Sequence, residues 1–157
     1  MNQVPCAWFA TDVEPLDETT LKISKGESAS QAALESLALL VGLRAWPHYW
    51  KEEKTLVLTR SDALAALGAL LKRSSPAGPV NTVMQEIALD CADGTCEVEV
   101  VSHIPGALND WADSLSRLTA PGKDKKEIPF ELLHVERTRV EGRSRGWWKT
   151  LEGEDEA

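Results

Sequence analysis

The apolar residues of this chain recur at two different spacings, and the spacing changes several times along its length. Alternation with a period of two puts side chains on opposite faces of a strand, whereas recurrence at three and four residues puts them on one face of a helix. Leu56, Val57 and Leu58 form a short apolar run that ends in Thr59-Arg60-Ser61-Asp62. Residues 63 to 72 are then rich in Ala and Leu, with Gly68 the only breaker, so the segment reads as strand, turn and helix.

The same change of spacing recurs on both sides of it. Residues 4 to 9 make a short apolar stretch with Trp8 and Phe9, which reads as one strand, and residues 11 to 25 are a polar connector. Ser28 and Gln31 offer a capping box for a helix in which Leu34, Leu37, Ala38, Val41 and Ala45 share a face until Pro47. Val80, Val83, Met84, Ile87 and Ala88 mark a further helix that Asn81 is placed to cap, and Asp93-Gly94 makes a turn after it. Val98 and Val100 alternate with Glu97 and Glu99 in a half-buried strand from 96 to 104 that ends at Pro105-Gly106. Residues 109 to 118 form a short helix with Trp111, Leu115 and Leu118 on one side. Alternating strands and helices of these lengths specify an α/β domain with a partly parallel sheet.

The 157 residues, 43% apolar and 27% charged, suffice for one core and its polar cover, which places the domain at 1 to 120 and leaves 121 to 157 as a polar, flexible, loosely packed tail. The longest apolar run, 37 to 43, is far short of a membrane span of roughly 20 residues, so an intracellular protein without a membrane partner is expected. Cys6, Cys91 and Cys96 show no zinc spacing and read as reduced thiols. A net charge of −8 repels phosphate at long range, so a nucleic-acid partner would be held by local basic groups, metal ions or a neighbouring domain. One local candidate is the run Arg143-Ser144-Arg145-Gly146-Trp147-Trp148-Lys149, which combines charge with stacking surface; a tail that docks its tryptophans on the domain is the alternative.

Three carboxylates draw attention by position. Glu35 emerges from the apolar side of its helix, although an acid near a helix N-terminus is also favoured by the macrodipole. Asp62 stands where a strand meets a helix, the edge at which ligands gather in open α/β sheets, and equally where an N-cap belongs. Asp113 is four residues before Arg117, the spacing of a solvated ion pair. Together they form a series of carboxylates of the kind two-metal phosphodiester hydrolysis requires, since hard divalent cations prefer oxygen ligands.

Two segments extend this reading. Arg60-Ser61-Asp62-Ala63-Leu64-Ala65-Ala66-Leu67 and, more specifically, His103-Ile104-Pro105-Gly106-Ala107-Leu108-Asn109-Asp110-Trp111-Ala112-Asp113-Ser114-Leu115-Ser116-Arg117 resemble the ribonuclease H signatures of retroelement reverse transcriptases of the LTR or DIRS-like kind. Residues 31 to 46 are similar to the first helix of that family, and the resemblance covers about residues 4 to 120. It implies a three-layer ribonuclease H-like α/β fold with a mixed sheet. It further implies two Mg²⁺ ions, replaceable by Mn²⁺, and hydrolysis of the RNA strand of an RNA/DNA hybrid, with a polymerase domain upstream. Glu35, Asp62 and Asp113 match three of its four metal-binding carboxylates, and His103 matches a mobile histidine that assists product release or proton transfer. Asp110 matches no catalytic position, and His48 and His134 read as surface residues.

The chain departs from the family at its beginning. The first carboxylate of the family lies on an opening strand followed by two more strands, and the residues between Asp12 and Glu35 are too few for strands of roughly 5 to 6 residues with their turns. Residues 4 to 9 look like the third strand of the family, so the first two strands and the first aspartate are expected to be missing, unless Asp12 substitutes for it. Weak or absent activity follows for the chain as given. A non-catalytic remnant that keeps a scaffold or nucleic-acid-binding surface is the rival expectation, and an unrelated α/β interaction module the third.

Overall fold

The computed structural model describes residues 4–50, 55–94, 96–106 and 109–152. Their order is β1 (Ala7–Trp8), α1 (Pro15–Leu21), α2 (Gln31–Ala45), β2 (Thr55–Ser61), α3 (Leu64–Lys72), α4 (Gly78–Ala92), β3 (Cys96–His103), α5 (Asp110–Ser116) and β4 (Glu136–Arg137). This is a mixed α/β chain with small parallel sheets. Residues 107 and 108 of the second signature and the acidic end from 153 lie outside the described residues. No helix among the described residues is long and apolar enough to cross a membrane.

β2 and β3 pair in parallel from Thr55↔Cys96 to Ser61↔His103, with one irregularity after Thr59. Parallel neighbours need a long crossover, and α3 and α4 supply it. Val98 of β3 is buried with Glu97 and Glu99 exposed, as expected of them, while the side chain of Val100 lies outside the described residues. On β2, Thr59 and Ser61 are buried while Leu56, Leu58 and Arg60 are exposed. The exposed face of β2 thus carries two leucines, Leu56 and Leu58.

The expected helices form, but several are capped differently. Residues 28 to 30 make a 3₁₀ turn, and the Ser30 hydroxyl accepts a hydrogen bond from Ser24 N, so the capping box at Ser28 is not made. α4 begins earlier than its apolar pattern, with Pro79 in the first turn, where its missing N–H costs nothing. Asn81 does not cap it; the Asn81 side chain accepts from Ser75 N and closes the preceding loop instead. The polar connector after β1 is also corrected, because it contains α1. There Glu14 and Asp17 satisfy each other's backbone N–H groups in a capping box, a glutamate occupying the position usually held by serine or threonine.

Leu37, Leu40 and Val41 of α2 pack with Leu70 of α3 and with Val83, Met84 and Ile87 of α4, and Val98 of β3 closes this core from the sheet side. The C-terminal segment, expected to be a loosely packed tail, enters the same core through Trp148, which is completely buried; its Leu132 is buried as well. β4 pairs in parallel with β1, and Trp8 Nε1 donates to the carbonyl oxygens of Leu132 and Val135, each at 3.2 Å. Large aromatic area outweighs the polar composition of its surroundings, since burying such a side chain gains roughly 1.5–3 kcal/mol.

Two ionic latches fix this segment. Arg143 is buried, with Nη2 2.8 Å from Asp17 Oδ2, and it also donates to the Asp12 carbonyl and the Thr11 hydroxyl. On the other side, Arg44 donates to Glu86 at 2.6 Å and to both Asp90 oxygens, while the buried Glu86 carboxylate accepts from the backbone N–H groups of Lys149 and Thr150. Charges taken out of water in this way must be paired and hydrogen-bonded, and these are.

Candidate functional site

At the C-terminal end of β2, Asp12, Glu35, Asp62 and Asp113 line one cleft of about 440 Å³. α2 presents Glu35 from its second turn, β2 delivers Asp62 immediately beyond its last paired residue, and α5 presents Asp113 from its first turn. The three carboxylates singled out from sequence therefore share a site. The segment after β3 lies against Asp62, for a Cβ at Gly106 would stand 3.5 Å from Asp62 Oδ2, which brings the two signature segments together.

The alternative role of Asp62 is not realised. The N-cap of α3 is Ala63, no side chain caps the helix, and Ser61 Oγ accepts the Ala63 N–H at 3.1 Å. The alternative role of Asp113 is realised: Arg117 Nε donates to Oδ1 at 3.1 Å, and Lys126 Nζ reaches Oδ2 at 2.5 Å. Lys126 holds the Asp113 carboxyl below the ordinary carboxylate value, with Arg117 adding to the effect. Nothing in a local motif points to Lys126; the only sign is the run of lysines at 123, 125 and 126.

Glu35 behaves in the opposite sense. Burial pushes its carboxyl above the ordinary 4.5, the Gln31 amide that donates to it at 2.8 Å opposes the rise, and the negative charges of Asp62 and Asp113 add to it. Asp12 is exposed, and its carboxylate accepts from Thr119 Oγ1 at 2.5 Å. Its backbone is fixed by Arg143, so the C-terminal latch also shapes this wall of the cleft.

Carboxylate oxygens are the right donors for Mg²⁺ or Mn²⁺, but their arrangement is not that of a metal centre. Among the described residues no three His, Cys, Asp or Glu side chains approach closely enough to hold an ion, and Asp113 is already engaged by two cations. His103 stands at the end of β3, exposed, with Nε2 3.2 Å from the Asp62 carbonyl oxygen, and it does not border the acidic cleft. His48 and His134 are exposed.

The run from Arg143 to Lys149 is not a free basic surface. Arg143 is buried against Asp17, Trp148 is in the core, Trp147 lies under Arg44 at 4.4 Å, and Lys149 is paired with Asp90 and Asp93. The partners that consume these charges come from α1, from α4 and from the residue just after α4, all distant in sequence.

A second cavity of about 700 Å³ adjoins the acidic cleft, with Glu35, Ala38 and Asn109 bordering both. Its walls include Phe9, Leu39, Trp46, Trp50, Leu58 and Leu115. No protein-family model matches the chain, and neither a curated protein nor a solved structure matches it.

Proposed function

We propose that this chain is the downstream part of a ribonuclease H-like nuclease domain of the retroelement kind, and that alone it hydrolyses RNA/DNA hybrids weakly or not at all. The observation that carries the reading is the meeting of Glu35, Asp62 and Asp113 on one cleft, three side chains that belong to separate segments of the resemblance. Asp62 supports it further, since it borders the cleft without serving as the helix cap that would otherwise account for it.

The incomplete carboxylate arrangement explains the expected weakness. Mg²⁺ surrenders water reluctantly and needs near-ideal octahedral placement, which dispersed carboxylates do not supply. A hybrid bound here would be recognised through its backbone and 2′-hydroxyl groups, because A-form-like duplexes expose these across the minor groove. The retained role is then a contact surface, and full activity belongs to an assembly that includes a further strand and an upstream polymerase domain.

Manganese titration followed by NMR tests the reading. Paramagnetic broadening should reach the amides near Glu35 and Asp62 only at high ion concentration, and Asp62→Asn should abolish it. Broadening centred elsewhere on the protein would reject the cleft.

A further inference from the structure

Residues 117 to 126, just past α5, close into a loop whose first residue borders the acidic cleft. Its backbone bonds are internal: the Arg117 carbonyl accepts from Ala120 N at 3.2 Å and from Lys126 N at 3.0 Å, and the Pro121 carbonyl accepts from Asp124 N. None of its residues is buried. Among the described residues, the side-chain hydrogen bonds that join this loop to the rest of the fold all end on carboxylates of that one cleft. Thr119 Oγ1 donates to Asp12 Oδ1 at 2.5 Å, Arg117 Nε to Asp113 Oδ1 at 3.1 Å, and Lys126 Nζ to Asp113 Oδ2 at 2.5 Å.

Both oxygens of Asp113 are thus engaged from inside the chain, one by each end of the loop. A divalent ion competes for the same oxygens, because an ionised carboxylate only accepts and a hard cation takes oxygen ligands. Exposure decides which of these contacts gives way. The side chains of Lys126 and Asp113 are 46% and 35% exposed, and a pair so open to water shifts an equilibrium by no more than about fivefold. The Arg143–Asp17 pair is sealed from solvent and holds firm. The loop is therefore attached to the cleft by contacts that release, and its exposed residues lose no core packing when they do.

We propose that the loop from Arg117 to Lys126 is an autoinhibitory strap, which holds divalent cations off the cleft by keeping the Lys126 ammonium on Asp113 and the Thr119 hydroxyl on Asp12. The proposal rests on the reading of this cleft as the remnant of a cation site. It gives one cause for the mismatch between carboxylates of the right kind and an arrangement that is not a metal centre: the chain's own donors already hold two of them.

The probe is Mn²⁺ alone, titrated into the full chain and read as paramagnetic broadening of the amides near Glu35 and Asp62, without nucleic acid. Lys126→Met should lower the broadening midpoint roughly three- to fivefold, and Thr119→Val should lower it by less. Lys126→Arg keeps a cation on Asp113 and should leave the midpoint where it is in the parent. Lys123→Met removes the same charge from an exposed position of the same loop, away from these contacts, and should also leave it unchanged. Equal midpoints for Lys126→Met and the parent would overturn the strap, and cleft broadening that Asp62→Asn still abolishes would then leave the nuclease reading standing. An equal fall in Lys123→Met would also overturn the strap, because net charge and not the contact would then control the ion. Absence of broadening at the cleft in every one of these proteins would reject the strap and the nuclease reading together.

Discussion

Arg143 Nε lies 2.9 Å from both carboxylate oxygens of Asp17, and neither side chain is open to solvent. The pair ties the C-terminal segment to α1 and, through the Asp12 carbonyl, to one wall of the acidic cleft. Removing one partner strands a buried charge. Arg143→Ala should cost about 3–5 kcal/mol in urea unfolding, and Arg143→Met with Asp17→Leu together should cost less than Arg143→Ala alone.

Trp148 is the deepest side chain of the C-terminal segment. Trp148→Ala should destabilise the fold by about 3–5 kcal/mol, because the cavity left among α2 and α4 side chains collapses only in part. Limited proteolysis should then cut within residues 138 to 152 far faster than in the parent. Unchanged stability would show that this segment is not a part of the core.

The docking of Trp148 is one of the two alternatives that the run from 143 to 149 allows, whereas the ionic latch is hidden in the sequence, and the reason is physical. α2, α3, α4 and β3 were legible because their apolar residues recur at a local period that any window of the chain displays. The docking of Arg143 on Asp17 joins residues 126 positions apart, and no local pattern marks either as the other's partner. α1 was obscured for a related reason: its start depends on a glutamate and an aspartate answering each other's backbone, in a stretch whose composition resembles a loop. Within the cleft, Glu35 and Asp62 were visible as carboxylates at element ends, while the pairing of Asp113 with Lys126 arises only when the chain returns past α5.

Glu35 should titrate above an ordinary glutamate when followed by carboxyl NMR, and Asp62→Asn should bring its midpoint down. A carboxylate whose folded value is raised favours the folded state most when protonated. Its contribution is therefore complete below the unfolded value and is lost as pH rises through the folded one. Glu35→Gln should accordingly raise stability at neutral pH relative to the parent, and the gain should vanish in acid.

Asp113 should respond in the other direction. Its depressed value stabilises the fold above the ordinary carboxylate range, and that contribution is lost as pH falls through the folded value. Lys126→Met should return the Asp113 midpoint toward normal while changing overall stability by less than about 1 kcal/mol, as expected for a pair this exposed.

Cleavage of a labelled RNA/DNA hybrid in Mg²⁺ is the decisive measurement, made on the chain as it stands and on the same chain preceded by a β-hairpin with an aspartate on its first strand. The expected result is little or no cleavage by the first and clear cleavage by the second, abolished in the second by Asp62→Asn. Efficient cleavage by the chain alone, lost on Asp12→Asn and on Asp62→Asn alike, would contradict it and assign the fourth carboxylate to Asp12.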